Sequence, residues 1–192
     1  MKLYYAPGAC SMASHIALIE GGVDFEAVRV DLRAHRTEHG EDYYAISPRG
    51  YVPAIETDFG LLTENPAVLT WIADETGTMP QGEDYYRQLE WIGFIGTEIH
   101  SGYHPLFGQD SEDRQAAAKE GLARKYRLAA QLMQARDWLL GDGPGVADNY
   151  LFVTLLWAGK FEVELPEELI AFRARNLARP AVQEAMRREG LG

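Results

Sequence analysis

Apolar and polar positions alternate differently in the two halves of the chain. Residues 2–6 form a compact apolar run that Pro7-Gly8 ends, which predicts a strand. Residues 11–20 carry a helical pattern, and Gly21-Gly22 supplies the stop. Residues 25–30 alternate with a period of two, as a half-buried strand does. Two further short strands are predicted at 53–57 and 60–63, around the turn residues Asp58-Phe59-Gly60. Leu69, Ile72 and Ala73 then mark a helical stripe. The order is strand, helix, strand, an irregular or short helical stretch, strand, strand, helix. It predicts an α/β domain with a parallel strand pair followed by an antiparallel hairpin. Beyond Gly82 no strand is expected. Long helices are predicted at 84–107 and 112–140, and shorter ones at 146–159, 166–177 and 180–189, the last three split by Pro166 and Pro180. With residues 76–82 as linker, the expected division is an α/β domain over 1–77 and an all-α domain over 83–192.

Composition narrows the function classes. Of 192 residues, 46% are hydrophobic, enough for a substantial core. Eighteen Lys and Arg against twenty-nine Asp and Glu give a net charge of −11, so a nucleic-acid surface, which needs clustered cations, is not expected. Cys10 is the single cysteine and excludes an intramolecular disulfide or a Cys-rich zinc site. No apolar run reaches the ~20 residues of a membrane span, and the first residues lack a secretory h-region. The expectation is a cytoplasmic protein.

Three stretches of the first half carry candidate chemistry. Cys10 lies in Pro7-Gly8-Ala9-Cys10-Ser11, between a strand and a helix start, where unpaired N–H groups and the helix dipole favour thiolate. An inert buried cysteine is the alternative. In Gly50-Tyr51-Val52-Pro53-Ala54-Ile55 a proline opens an apolar strand. A trans bond makes this a plain strand start, whereas a cis bond frees the Val52 backbone for an extended peptide ligand. In Leu62-Thr63-Glu64-Asn65-Pro66-Ala67, Asn65 reads as an N-cap and Pro66 as the first helical residue. That helix start suits a carboxylate and Glu64 suits an ammonium, which together describe an α-amino-acid head group. A solvated glutamate beside an ordinary cap is the plainer reading. In the second half, Glu98, His100, Tyr103 and His104 cluster before Pro105, while the Trp and Phe residues are spaced as core faces. His15, His35 and His39 show no metal-ligand spacing with each other or with acidic residues, so no metal is expected.

These motifs, in this order, resemble a cytosolic glutathione transferase of the bacterial beta class. The similarity includes Lys2-Leu-Tyr-Tyr-Ala-Pro-Gly-Ala-Cys10-Ser11, Val30-Asp31-Leu32-Arg33, Gly40-Glu41-Asp42-Tyr43, Thr97-Glu98-Ile99-His100, Pro105-Leu106-Phe107 and Val146-Ala147-Asp148-Asn149-Tyr150. The resemblance implies a thioredoxin-like N-terminal domain that binds glutathione, a helical domain that supplies most of the electrophile pocket, and a homodimer. It implies a cis Pro53, with Val52 bonding the cysteinyl backbone of glutathione, and Glu64 and Asn65 holding its γ-glutamyl head. It places Cys10 and His100 beside the glutathione sulfur, with Ser11 as a further candidate for stabilising the thiolate. His35 and Tyr51 stand where the family often has Lys and Gln beside the ligand. Tyr103, His104 and Phe107 become candidates for the electrophile pocket, and Tyr5 a minor rival activator.

Two departures bear on structure. Family members often carry Ser or Gly where this chain has Asn65. At the start of the 146–159 helix, Gly145 replaces the usual Ser or Thr of a capping box, a loss of a few tenths (~0.3) of a kcal/mol if Asp148 still reaches back to its N–H. The implied activity is conjugation of glutathione to small hydrophobic electrophiles. Two alternatives remain open at this point: a glutathione-dependent thiol reductase or peroxidase working through a Cys10 mixed disulfide, and a non-catalytic binding protein of the same fold.

Overall fold

The computed structural model describes residues 1–108 and 110–191. They form two compact units, one made of Met1–Met79 together with the chain from Arg179 onward, the other of Pro80–Ala178.

The first unit is built on β1 (Lys2–Tyr5), β2 (Glu26–Asp31), β3 (Arg36–Thr37), β4 (Ala54–Thr57) and β5 (Gly60–Thr63), in the order β3-β2-β1-β4-β5. β1 runs parallel to β2 and antiparallel to β4, and β4 and β5 form the expected hairpin. The two-residue β3, which pairs with β2, is too short to leave a period in the sequence. Strand alternation sends neighbouring residues to opposite faces. Tyr4 joins Val28, Val30, Tyr43, Val52 and Ala54 in one apolar cluster, roofed by the short helix α2 (Tyr43–Ile46). Leu3 and Ile55, paired across β1 and β4 and fully buried, face the other way, the side occupied by α1 (Met12–Glu20) and α3 (Asn65–Glu75).

The last helix, α9 (Pro180–Glu189), lies along α1, so the C-terminal segment expected with the helical half completes the first unit instead. Its anchor is a buried carboxyl group. Glu189 is buried, and its carboxylate accepts from the Gly8 backbone N–H at 2.9 Å and meets His15 Nδ1 at 2.9 Å. A second pair, Arg179 with Glu20, joins the start of α9 to the end of α1. Neither partner pairing has a sequence signature, because the residues stand over 150 positions apart.

The second unit is helical. α4 (Glu83–Phe94) widens into a π-helical stretch, Ile95–His100, and the chain restarts as α5 (His104–Phe107) with Pro105 in its first turn. The helix predicted over 84–107 is therefore interrupted twice, by the π-helical widening after Phe94 and by the restart at α5, where Pro105 has no N–H to continue the ladder. α6 (Glu112–Met133) stops short of the predicted residue 140. Gln134 and Ala135 both take left-handed backbone angles, and the Arg136 side chain donates to the Met133 and Leu132 carbonyls. α7 (Val146–Phe161) is the central helix, buried along nearly its whole length, and α8 (Glu167–Leu177) packs beside it. Among the described residues no helix is long and apolar enough to cross a membrane.

Asp148 organises the stretch between α6 and α7. Its buried carboxylate accepts from the Gly145 N–H at 2.8 Å, the reach-back expected of a capping box, and from the Leu139 N–H at 2.8 Å. Gly145 fits because Gln88 Oε1 already stands 2.8 Å from where a Cβ would be. Replacing Asp148 by Ala strands a buried N–H and uncaps α7. We expect a loss of about 3 kcal/mol in urea unfolding, with Asp148→Asn losing less because one oxygen remains. Equal stability of Asp148→Ala and the parent would remove the carboxylate from this role.

Candidate functional site

The loop between β1 and α1 delivers Cys10. Gly8 turns it at φ +69°, a conformation few other residues accept, and Ser11 closes it. Ser11 Oγ accepts from the Ala6 N–H at 3.2 Å and donates to the Ala6 carbonyl at 3.4 Å. Ser11 is fully buried, so its hydroxyl braces the loop and is not free to meet a ligand, which corrects its placing among the catalytic candidates.

Cys10 Sγ donates to the Val52 carbonyl at 3.2 Å. The Val52–Pro53 bond is cis. The Tyr43 hydroxyl donates to the Tyr51 carbonyl at 2.9 Å, fixing the approach to that junction, while the Tyr51 side chain is 73% exposed. Burial pushes the Cys10 thiol up to about 12, and the nearby Glu64 charge adds to this. The backbone N–H groups of Cys10 and Ser11 pull the other way, as expected at a helix start, but desolvation outweighs them. The expectation of a thiolate on Cys10 itself is thus reversed.

Glu64 and Asn65 lie where β5 gives way to α3, a helix that packs against α1. Glu64, at φ +71°, turns the chain into α3 so that Asn65 is already helical and does not act as the N-cap. No side chain caps α3. Asn65 is buried instead, and its Oδ1 accepts from the Ser14 hydroxyl at 3.3 Å. Its Nδ2 is buried without a partner among the described residues. Ser14 escaped the sequence reading, although it lies in the first turn of α1, four residues beyond Cys10. Arg49, also missed, pairs with the exposed Glu64 carboxylate.

His35 stacks on Tyr44 with ring centroids 4.3 Å apart, and its Nε2 meets the Tyr44 hydroxyl at 3.1 Å. Its Nδ1 is buried without a partner among the described residues. Gly50 makes this stack possible, because a Cβ there would stand 2.6 Å from the Tyr44 ring and 3.1 Å from His35 Nδ1. Tyr5 is buried against the His15 ring, and burial together with the Glu189 charge raises its pKa, which leaves it a packing role.

The remaining candidates belong to the helical unit. His100 Nδ1 meets the Tyr150 hydroxyl at 2.7 Å, and its ring lies 4.9 Å from Trp157. Burial, then the charge of His104, pushes His100 down to about 4, so it is neutral near pH 7. Tyr103 is in the interior, its hydroxyl shared with Tyr126 at 2.8 Å and with the Thr154 carbonyl at 3.1 Å, which corrects its assignment to a pocket wall. Phe107 is 48% exposed and stands nearly perpendicular to Trp157 and Phe161, and His104 is exposed. Trp157, read from its spacing as packing, joins this aromatic group.

Residues 1–74 match the glutathione S-transferase N-terminal domain family and residues 92–180 the C-terminal domain family. The chain belongs to the glutathione S-transferase family. It is 40% identical to the glutathione S-transferase GstA of Escherichia coli O157:H7, each chain being covered in full. Among solved structures it is similar to a sphingomonad glutathione S-transferase complexed with glutathione, at 42% identity and a TM-score of 0.94 over the whole of both chains. It is also similar to the bacterial beta-class glutathione S-transferase of Sphingomonas chungbukensis, at 37% identity and a TM-score of 0.92, again over both whole chains. The first unit of this chain carries Cys10, a cis Val52–Pro53 bond, Glu64 and Asn65, whose amide nitrogen has no partner among the described residues.

Two titrations follow. With a thiol near 12, alkylation of Cys10 by iodoacetamide should rise about tenfold per pH unit from 7 to 9 without a plateau. A plateau near neutrality would show a thiolate. For His100 the folded pKa lies below the unfolded one, so the unfolded chain binds more protons between about 4 and 6.5. Its contribution is complete above that window and is lost as the pH falls through it. In His100→Phe, unfolding followed across this range should show a shallower pH dependence than the parent.

Proposed function

We propose that this chain binds glutathione in its first unit and transfers it to small hydrophobic electrophiles, working as a cytoplasmic homodimer. One observation carries the binding half of the reading: the buried, unpartnered Asn65 amide beside the Glu64 carboxylate, at a helix start with no side-chain cap. A buried donor without an acceptor costs about 1–3 kcal/mol, so a site that keeps one is built for a ligand acceptor. The γ-glutamyl carboxylate meets Asn65 Nδ2 and the N–H groups of α3, and its ammonium meets Glu64. Arg49 holds Glu64 in place at the surface and leaves it an oxygen for that contact. The Val52 backbone pairs with the cysteinyl residue as a neighbouring strand would. The glycine carboxylate falls to the edge formed by His35 and Tyr51.

The reaction needs the thiolate of glutathione, which is mostly protonated at pH 7. Each unit by which the site lowers that pKa corresponds to about 1.4 kcal/mol. The Cys10 and Ser11 N–H groups already favour negative charge at sulfur and can serve a second sulfur placed beside them. A protonated Cys10 is then a hydrogen-bond donor, and its high pKa supports conjugation over a mechanism in which Cys10 attacks a disulfide. In the helical unit, neutral His100 suits a donor role in its Nε2–H tautomer when the Tyr150 hydroxyl donates to Nδ1. The Phe107 ring, backed by the buried Trp157 and beside Phe161, offers an apolar surface for the electrophile.

Glutathione titration calorimetry, then turnover of 1-chloro-2,4-dinitrobenzene, tests the reading. Asn65→Ala should weaken glutathione binding by about 10–100-fold. Cys10→Ala should keep activity within about tenfold of the parent, because the charge at sulfur is shared among several donors. Absence of measurable glutathione binding by the parent would sink the proposal, and a thousandfold collapse in Cys10→Ala with binding intact would sink its shared-donor mechanism.

A further inference from the structure

Ser14 is fully buried on α1. Hydroxyls elsewhere on helices of this chain turn back onto their own backbone. Thr70 donates to the Pro66 carbonyl, Thr76 to that of Ile72 and Thr97 to that of Gly93, each one turn earlier. Ser14 makes no such bond among the described residues. Its hydroxyl reaches across to α3 and donates to Asn65 Oδ1 at 3.3 Å, joining residues 51 positions apart.

The consequence lies at the other end of the amide. An Asn side chain has an acceptor end and a donor end of nearly equal size, so a partner at one end decides where the other faces. With Oδ1 committed to Ser14, Nδ2 is turned away from that hydroxyl, and it is the buried end without a partner among the described residues. A reversed amide would put a carbonyl oxygen there, which repels a carboxylate that an N–H attracts. The neighbouring Glu64 already supplies negative charge, so this corner takes an anion only through its donors.

We infer that Ser14 is a positioning residue for glutathione. It holds the Asn65 amide with its donor end toward the γ-glutamyl α-carboxylate, and so sets the preference for a γ-glutamyl peptide that carries this group. The inference rests on the glutathione-binding reading above and adds to it the residue that orients the donor. Ser14 acts through Asn65 and not on the ligand itself. Its contact is long for an O–H···O bond. A carboxylate drawing on Nδ2 polarises the amide and makes Oδ1 a better acceptor, so the two bonds support each other.

Calorimetry on the full chain with two tripeptides tests this. One is glutathione. The other, 4-aminobutanoyl-cysteinyl-glycine, keeps the ammonium and lacks only the α-carboxylate. The parent should bind glutathione at least about tenfold more tightly than the analogue. Ser14→Ala should shrink that ratio about fivefold, with affinity for the analogue held within about twofold. A merely structural role would weaken both ligands alike. Ser14→Cys, whose thiol is a weak donor, should give an intermediate ratio. In the Asn65→Ala background, adding Ser14→Ala should leave the ratio unchanged, because the amide it orients is gone. Equal binding of the two tripeptides by the parent, a ratio indifferent to Ser14→Ala, or the same effect of Ser14→Ala with and without Asn65 overturns the inference and leaves glutathione binding standing. Binding of neither tripeptide by the parent overturns both.

Discussion

A carboxylate from the far end of the chain holds the loop that carries Cys10. Glu189 is buried, and a buried carboxylate is tolerable only when its oxygens are hydrogen-bonded or paired. Here one oxygen takes the Gly8 N–H and the other takes His15, two residues that bracket Cys10 in sequence. The turn at Gly8, the start of α1 and the packing of α9 are therefore a single arrangement. Ser11 tightens it from inside by exchanging hydrogen bonds with Ala6. Everything the first unit presents around Cys10 is positioned from that frame.

Burial sets the electrostatics of both units, in opposite directions on the pKa scale and with the same outcome. The Cys10 thiol is pushed up and the His100 imidazole is pushed down, so both groups are uncharged at neutral pH. A neutral thiol whose neighbouring N–H groups favour an anion is a setting for another molecule's thiolate. A neutral imidazole tied to Tyr150 offers a donor without adding a buried charge. The fixed charge of the first-unit candidates lies at Glu64, in contact with solvent and with Arg49, where desolvation costs little.

Much of the architecture was legible before any coordinates. The strand and helix order of the first eighty residues follows from short apolar runs punctuated by Pro7-Gly8, Gly21-Gly22 and Asp58-Phe59-Gly60, each a local steric signal. The ends of α8 and α9 follow from Pro166 and Pro180 in the same way. Asp148 was legible because a capping box is a contact over three residues. Less legible were β3, the π-helical stretch before His100 and the early stop of α6. Their causes are a two-residue pairing, a packed helix widening without a proline, and left-handed residues that are not glycine.

Residue type and spacing by themselves indicated the two kinds of folded unit, and the resemblance carried by motif order pointed to the family and singled out Cys10, Pro53, Glu64 and Asn65. These rest on local backbone sterics and on motif order, both written in the chain. Only tertiary structure decided what those positions do. It drew α9 back onto α1, turned the Ser11 hydroxyl inward, put Tyr103 in the interior and left the Asn65 amide buried without a partner among the described residues. It also reversed the expected charge state of Cys10. Desolvation and hydrogen-bond satisfaction depend on which distant segments close over a group, and no window of sequence contains that information.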